Sequence, residues 1–223
     1  MSKGQGRAPT ARSVAAAALL RVWKDDAFAA AALDGELARA VQVGPRDAAL
    51  ATELVLGALR VLPWLEERIA RHAPRGLAKL DPLARAHLVL AAYQLFFLDR
   101  VPSFAAVSEA VGAVRAARSP GLAAFVNAVL RRLAEEAATK RPDAAEALRL
   151  SVPAWLQRAL AASLGGDEEA KAFLAAGTPP SVVRVERAGE RALWRDRLAA
   201  AVPDAAVEEP SASPLGLRLR GAG

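Results

Sequence analysis

Five basic residues, Lys3, Arg7, Arg12, Arg21 and Lys24, come before the first acidic residue of the chain. Such a segment suits contacts to phosphates, because each phosphate it neutralises releases a condensed counterion. A solubilising tail is the competing reading. A second basic pair, Arg131-Arg132, falls off the apolar face of a helix, where Leu122, Val126, Val129, Leu130 and Leu133 follow one another at steps of three and four. These seven side chains are the candidate binding residues, and a polyanion is the partner they would take.

Other groups point away from catalysis. The chain has no cysteine, which excludes disulfides, thiolate metal sites and a cysteine nucleophile. Its two histidines, His72 and His87, leave little for a metal cluster. His87 lies within an apolar helix and reads as a hydrogen-bonded core residue. Asp25-Asp26 and Glu135-Glu136 read as solvated helix ends rather than a catalytic pair. Trp64, Trp155 and Trp194 read as packing anchors, with base stacking by one of them as the alternative. No glycine-rich fingerprint follows a strand, and no P-loop is present. The residues predict no catalytic, cofactor-binding or metal site.

The elements that hold these groups are mainly helical. Helices are expected from about Thr10 to Lys24, Phe28 to Val41 and Arg46 to Leu62, with a short one from Pro63. Gly57 costs its helix about 1 kcal/mol against alanine, which implies close approach of another helix. The centre is the stretch from Asp81 to Leu133, three helices in a row. The first opens on Asp81-Pro82 and the third on Ser119-Pro120, an N-cap acceptor followed by proline at the first helical position. From Leu83 to Leu98 the strongly polar residues are Arg85, His87 and Gln94 alone, so this helix belongs inside a bundle. At about 16 residues it is short for a membrane span.

Charge and composition divide the chain. Residues 1–149 hold 21 basic and 15 acidic side chains, and 150–223 hold 9 of each, so the net charge of +6 sits in the first two-thirds. The expected organisation is a basic arm at 1–11, a helical domain at 12–140, a linker at 141–152, and a small helical then α/β subdomain at 153–223. In the last part, Ser181 to Val185, Ala206 to Glu208 and Leu215 to Leu219 read as strands. The fold class is mainly α, a helical bundle followed by a small α/β subdomain. Arg12 and Arg21 bracket the N-terminal alanine run, so no signal peptide is expected. A cytoplasmic protein with no membrane partner is predicted.

Four segments carry a family resemblance. Asp47 to Arg60, Leu80 to Pro102, Ser108 to Val111 and Phe125 to Leu133 resemble the NusB family in order and spacing. They are most similar to the NusB-like N-terminal domain of bacterial 16S rRNA cytosine-C5 methyltransferases of the Fmu/Sun type. The Val152-Pro153-Ala154-Trp155-Leu156 helix, Pro179-Pro180 and the strand after them resemble the pre-catalytic region of the same enzymes. Ser108 and Glu186 depart from the asparagines usual in the family. The resemblance implies an all-α RNA-binding bundle that recognises 16S rRNA. It also implies a following catalytic domain with an S-adenosylmethionine site and two cysteines, neither of which this sequence contains. As it stands the chain is expected to be no enzyme and to take no cofactor. The strand from Leu215 to Leu219, four residues from Gly223, is expected at a bare sheet edge. A separate methyltransferase domain would be one partner.

Two other readings remain. One is a transcription antitermination factor that binds leader RNA with a ribosomal protein. The other is a protein-interaction module with no RNA role.

Overall fold

The computed structural model describes residues 8–73, 76–176 and 181–220. The chain forms two compact units, Met1–Ala175 and Ala176–Gly223.

In the first unit the helices are α1 (Ala11–Lys24), α2 (Ala29–Arg39), α3 (Pro45–Arg60), α4 (Leu62–Ala70), α5 (Pro82–Phe97), α6 (Ser103–Ala117), α7 (Pro120–Thr139), α8 (Ala144–Ser151), α9 (Ala154–Leu164) and α10 (Asp167–Ala175). Their starts are written locally. Thr10 and Ser13 form a reciprocal capping box at α1. Asp81 accepts from the amides of Leu83 and Ala84 at the start of α5, and Ser119 from Leu122 at the start of α7.

The bundle is built around α5, which packs against α1, α3, α4, α6 and α7. Every residue from Ala86 to Phe96 is buried, so apolar burial, about 1.5–3 kcal/mol per large side chain, is drawn from all sides of this helix. Trp64 of α4 meets Phe96 and Phe97 edge-on at 5.1 and 5.5 Å between ring centroids. Gln94 is buried and receives the Arg12 Nε–H at 2.7 Å, which ties α1 to α5. At Gly57 the expected close approach is real: the Tyr93 ring lies against the bare Cα.

Several local expectations change. The segment expected as a linker, 141–152, holds α8, which Asp143 caps and which packs on α4. The Ser151 hydroxyl there accepts from the Trp64 amide at 3.3 Å. Glu136 is not a solvated helix end: it is half-buried and accepts from Arg68 Nη1 at 2.5 Å, joining α7 to α4. His87 is buried, yet its ring has no hydrogen bond to another described residue. Of the three tryptophans, Trp64 is an anchor, whereas Trp155 is 63% and Trp194 39% exposed.

The second unit holds β1 (Ser181–Arg184), α11 (Arg191–Ala201), β2 (Ala206–Glu208) and β3 (Gly216–Arg220). The strand order is β1-β3-β2, antiparallel throughout. The last strand is therefore central and not the bare edge that its place near Gly223 suggests. Leu217 and Leu219 are buried, and α11 packs on β2 and β3. Arg191 of α11 donates to the carbonyls of Gly216 and Pro210, which pins the helix to the sheet.

Candidate nucleic-acid interface

Helix α6 places Phe104, Ser108, Val111 and Arg115 at steps of four, three and four, one stripe of its surface. Helix α7 does the same with Asn127, Arg131 and Glu135. These stripes line one open groove of about 650 Å³ between the two helices. The two helices pack on each other, and Ala106, Ala110 and Val114 of α6 and Ala123, Val126 and Leu130 of α7 are buried.

The groove has the chemistry of an anion and base site. Arg115 comes from one wall and Arg131 from the other, and neither forms an ion pair with another described residue. Phe104, 77% exposed, supplies an aromatic surface at one end. Helix α6 starts there with no side-chain cap, so the positive end of its dipole lies at that end of the groove with no side-chain acceptor. Ser108 and Asn127 add hydrogen-bonding groups, and Glu135 contributes one carboxylate.

The expected binding residues are spread more widely. Lys3 and Arg7 lie outside the described residues. Arg12 is half-buried and is committed to Gln94. Arg21 lies 3.9 Å from Asp25 and 3.6 Å from Glu36. Lys24 is exposed at the end of α1, and Arg131 and Arg132 are exposed on α7. Of the seven, Arg131 lines the groove. Arg115, Phe104, Ser108 and Asn127 line it as well; their spacing places each on one face of its helix, and the packing of α6 on α7 makes those faces one groove.

Among the described residues no turn that follows a strand carries the run of glycines a methyl-donor loop needs. The turn after β1 carries a single glycine, Gly189, between the acidic Glu186 and Glu190. No reaction step is assigned to it.

The family model described as "NusB family" matches residues 9–135, which hold α1 to most of α7 and the whole groove. The chain belongs to the NusB family. Its relatives include the Ribosomal RNA small subunit methyltransferase B of Thermus thermophilus, 41% identical over 170 residues, covering 75% of this chain and 39% of that protein. The protein of the same name from Pseudomonas putida is 32% identical over 181 residues, covering 79% of this chain and 40% of its own length. The chain thus spans about 40% of these relatives' length. The crystal structure of PH0851 has the same fold, with a TM-score of 0.61 at 14% identity over 96% of this chain and 49% of that one. Among the described residues no single helix is long and apolar enough to cross a membrane.

Proposed function

We propose that this chain is the RNA-recognising NusB-like module of a 16S rRNA cytosine-C5 methyltransferase, and that the α6–α7 groove receives an unpaired stretch of that RNA. The observation that carries the reading is the pair of arginines, Arg115 and Arg131, on opposite walls of a groove that ends at the exposed Phe104 ring. Two relatives that are named as ribosomal RNA methyltransferases support it. Their alignments of 170 and 181 residues exceed the 9–135 span of the family match, so they take in helices beyond the bundle. That extent favours the methyltransferase module over an antitermination factor.

Recognition in this reading works through phosphates and unpaired bases, because side chains do not reach base edges in the deep A-form groove. Arg115 and Arg131 take phosphates, and Phe104 stacks a base. Arg132 and Lys24 add contacts on the same partner, with Lys3 and Arg7 of the basic arm. Attack on cytosine C6 needs a thiolate, and the 223 residues contain no cysteine. Catalysis and S-adenosylmethionine are therefore assigned to a methyltransferase domain on the same or a separate polypeptide.

The test is binding of the chain to transcribed 16S rRNA fragments across a salt series. Arg115→Ala and Arg131→Ala are each expected to weaken binding across all bound fragments and to lower the salt slope by about 1. Phe104→Ala is expected to cost about 1–3 kcal/mol of binding without changing that slope. Absence of salt-dependent binding by the unaltered chain would sink the proposal.

A further inference from the structure

We propose that the helix-free face of the β1-β3-β2 sheet is a second RNA contact, taking the phosphate backbone of an unpaired strand. This rests on the RNA-binding reading above, but it uses other residues in the other unit.

Residues directly opposite each other in a sheet share a face, and the face alternates along each strand. The pairing sets Val182 opposite Arg218, Arg184 opposite Gly216, Glu208 opposite Arg218 and Ala206 opposite Arg220. These form one face. Val183, Val207, Leu217 and Leu219 form the other, where Leu217 and Leu219 are buried and α11 packs. The helix-free face therefore presents Arg184, Arg218 and Arg220 around Val182, which is 64% exposed.

The charge there is lopsided in a unit that is close to balanced. From 176 to 223 the chain has 7 basic and 6 acidic residues. Several acids are spent near α11: Asp196 and Glu209 lie against Arg195, Glu209 also near Arg191, and Glu190 against Arg187. The sheet face has one carboxylate, Glu208, and two arginines divide it, Arg220 Nε at 3.0 Å and Arg218 Nη1 at 3.8 Å. Arg184 forms no ion pair with another described residue. Three guanidiniums against one carboxylate leave a net positive face.

Its relief suits a backbone. Ala206 is small and exposed and lies on the same face as Val182, so a chain can lie close to the strands there, while Gly216 is covered by Ser213 and Pro210. Arg218 and Arg220 are two residues apart, about 7 Å along the strand, the scale of one nucleotide repeat. The face has no aromatic residue, so no base-stacking platform is offered. Binding should follow phosphate count and salt rather than base sequence.

Anisotropy with the full chain and a labelled oligouridine of about 12 nucleotides tests this. Arg184→Glu, an exposed change with no partner to lose, is expected to weaken binding about fivefold or more and to flatten the salt slope by about 1, with an unchanged melting midpoint. Glu208→Gln removes the one opposing charge and is expected to tighten binding about threefold. A merely structural ion pair would give no tightening. Unchanged affinity in Arg184→Glu, or weaker binding in Glu208→Gln, overturns the proposal. Arg115→Ala/Arg131→Ala in parallel separates the two sites. Loss there with none in the sheet variants leaves the groove reading standing alone; the reverse pattern leaves the sheet alone. No binding of the oligouridine by the unaltered chain overturns the sheet proposal, while the groove reading is decided by the 16S rRNA fragments.

Discussion

A methyl group added at Gly57 would stand 2.1 Å from the Tyr93 hydroxyl oxygen and 2.3 Å from the ring carbon that bears it. The glycine is there for that ring, which also donates to Glu53 at 2.5 Å. Burial and the neighbouring Glu53 carboxylate both push the Tyr93 hydroxyl well above its ordinary pKa, so it stays a donor. His87 makes the opposite bargain. Burial lowers its pKa from 6.5 to about 4, so the folded protein holds the ring neutral. Below about pH 6.5 the unfolded chain takes a proton that the folded one refuses, and stability falls until the pH passes the folded value near 4. The expected loss across that window is about 3 kcal/mol. Urea unfolding of the unaltered chain and His87→Gln, compared at pH 7 and near pH 4.5, checks it. The variant should lose much less; equal losses would place the acid sensitivity elsewhere.

Among elements, α5 depends most on its first residues. Burial alone would raise the Asp81 carboxyl, but the Arg118 guanidinium and the amides of Ala84 and Leu83 outweigh it and hold its pKa below the usual value. Arg118 follows α6, so this one side chain caps α5 and ties down the α6–α7 turn. Asp81→Ala should cost about 1–2 kcal/mol in urea unfolding. Asp81→Asn keeps the cap and should cost less; equal costs would mean that the ion pair, not the cap, carries the effect. The helices were legible because Asp81-Pro82, Ser119-Pro120 and the Gly57 anomaly are local signals. The α8 helix was not, because Lys140 to Pro142 carries the charge and proline of a linker while Asp143 in fact starts a helix. The sheet order was not legible either, since strand neighbours are set by pairing across the chain. The groove was half legible: Arg131 stood out as part of a doublet. Arg115 became a site residue only when α6 was laid beside α7.

The whole molecule keeps its two units chemically distinct. The first unit carries 23 basic and 18 acidic residues against 7 and 6 in the second, and the family match lies within the first. A domain with its own core folds by itself. The core cluster of the first unit runs from Ala11 to Ala147 and includes no residue of the sheet. A chain ended after Ala176 is therefore expected to keep cooperative unfolding and a melting midpoint within a few degrees of the full chain, by circular dichroism at 222 nm. A non-cooperative melt would show that the bundle leans on the second unit.

The order β1-β3-β2 also sets a schedule. Neither β1 nor β2 pairs with the other; each finds its ladder partner only in β3. As the chain leaves the ribosome, the bundle has its full set of helices while both outer strands still wait for residues 216–220. During that interval two short strands wait with unpaired backbone, the condition under which nascent chains stick to one another. Ala206–Glu208, at three residues, offers such contacts little length.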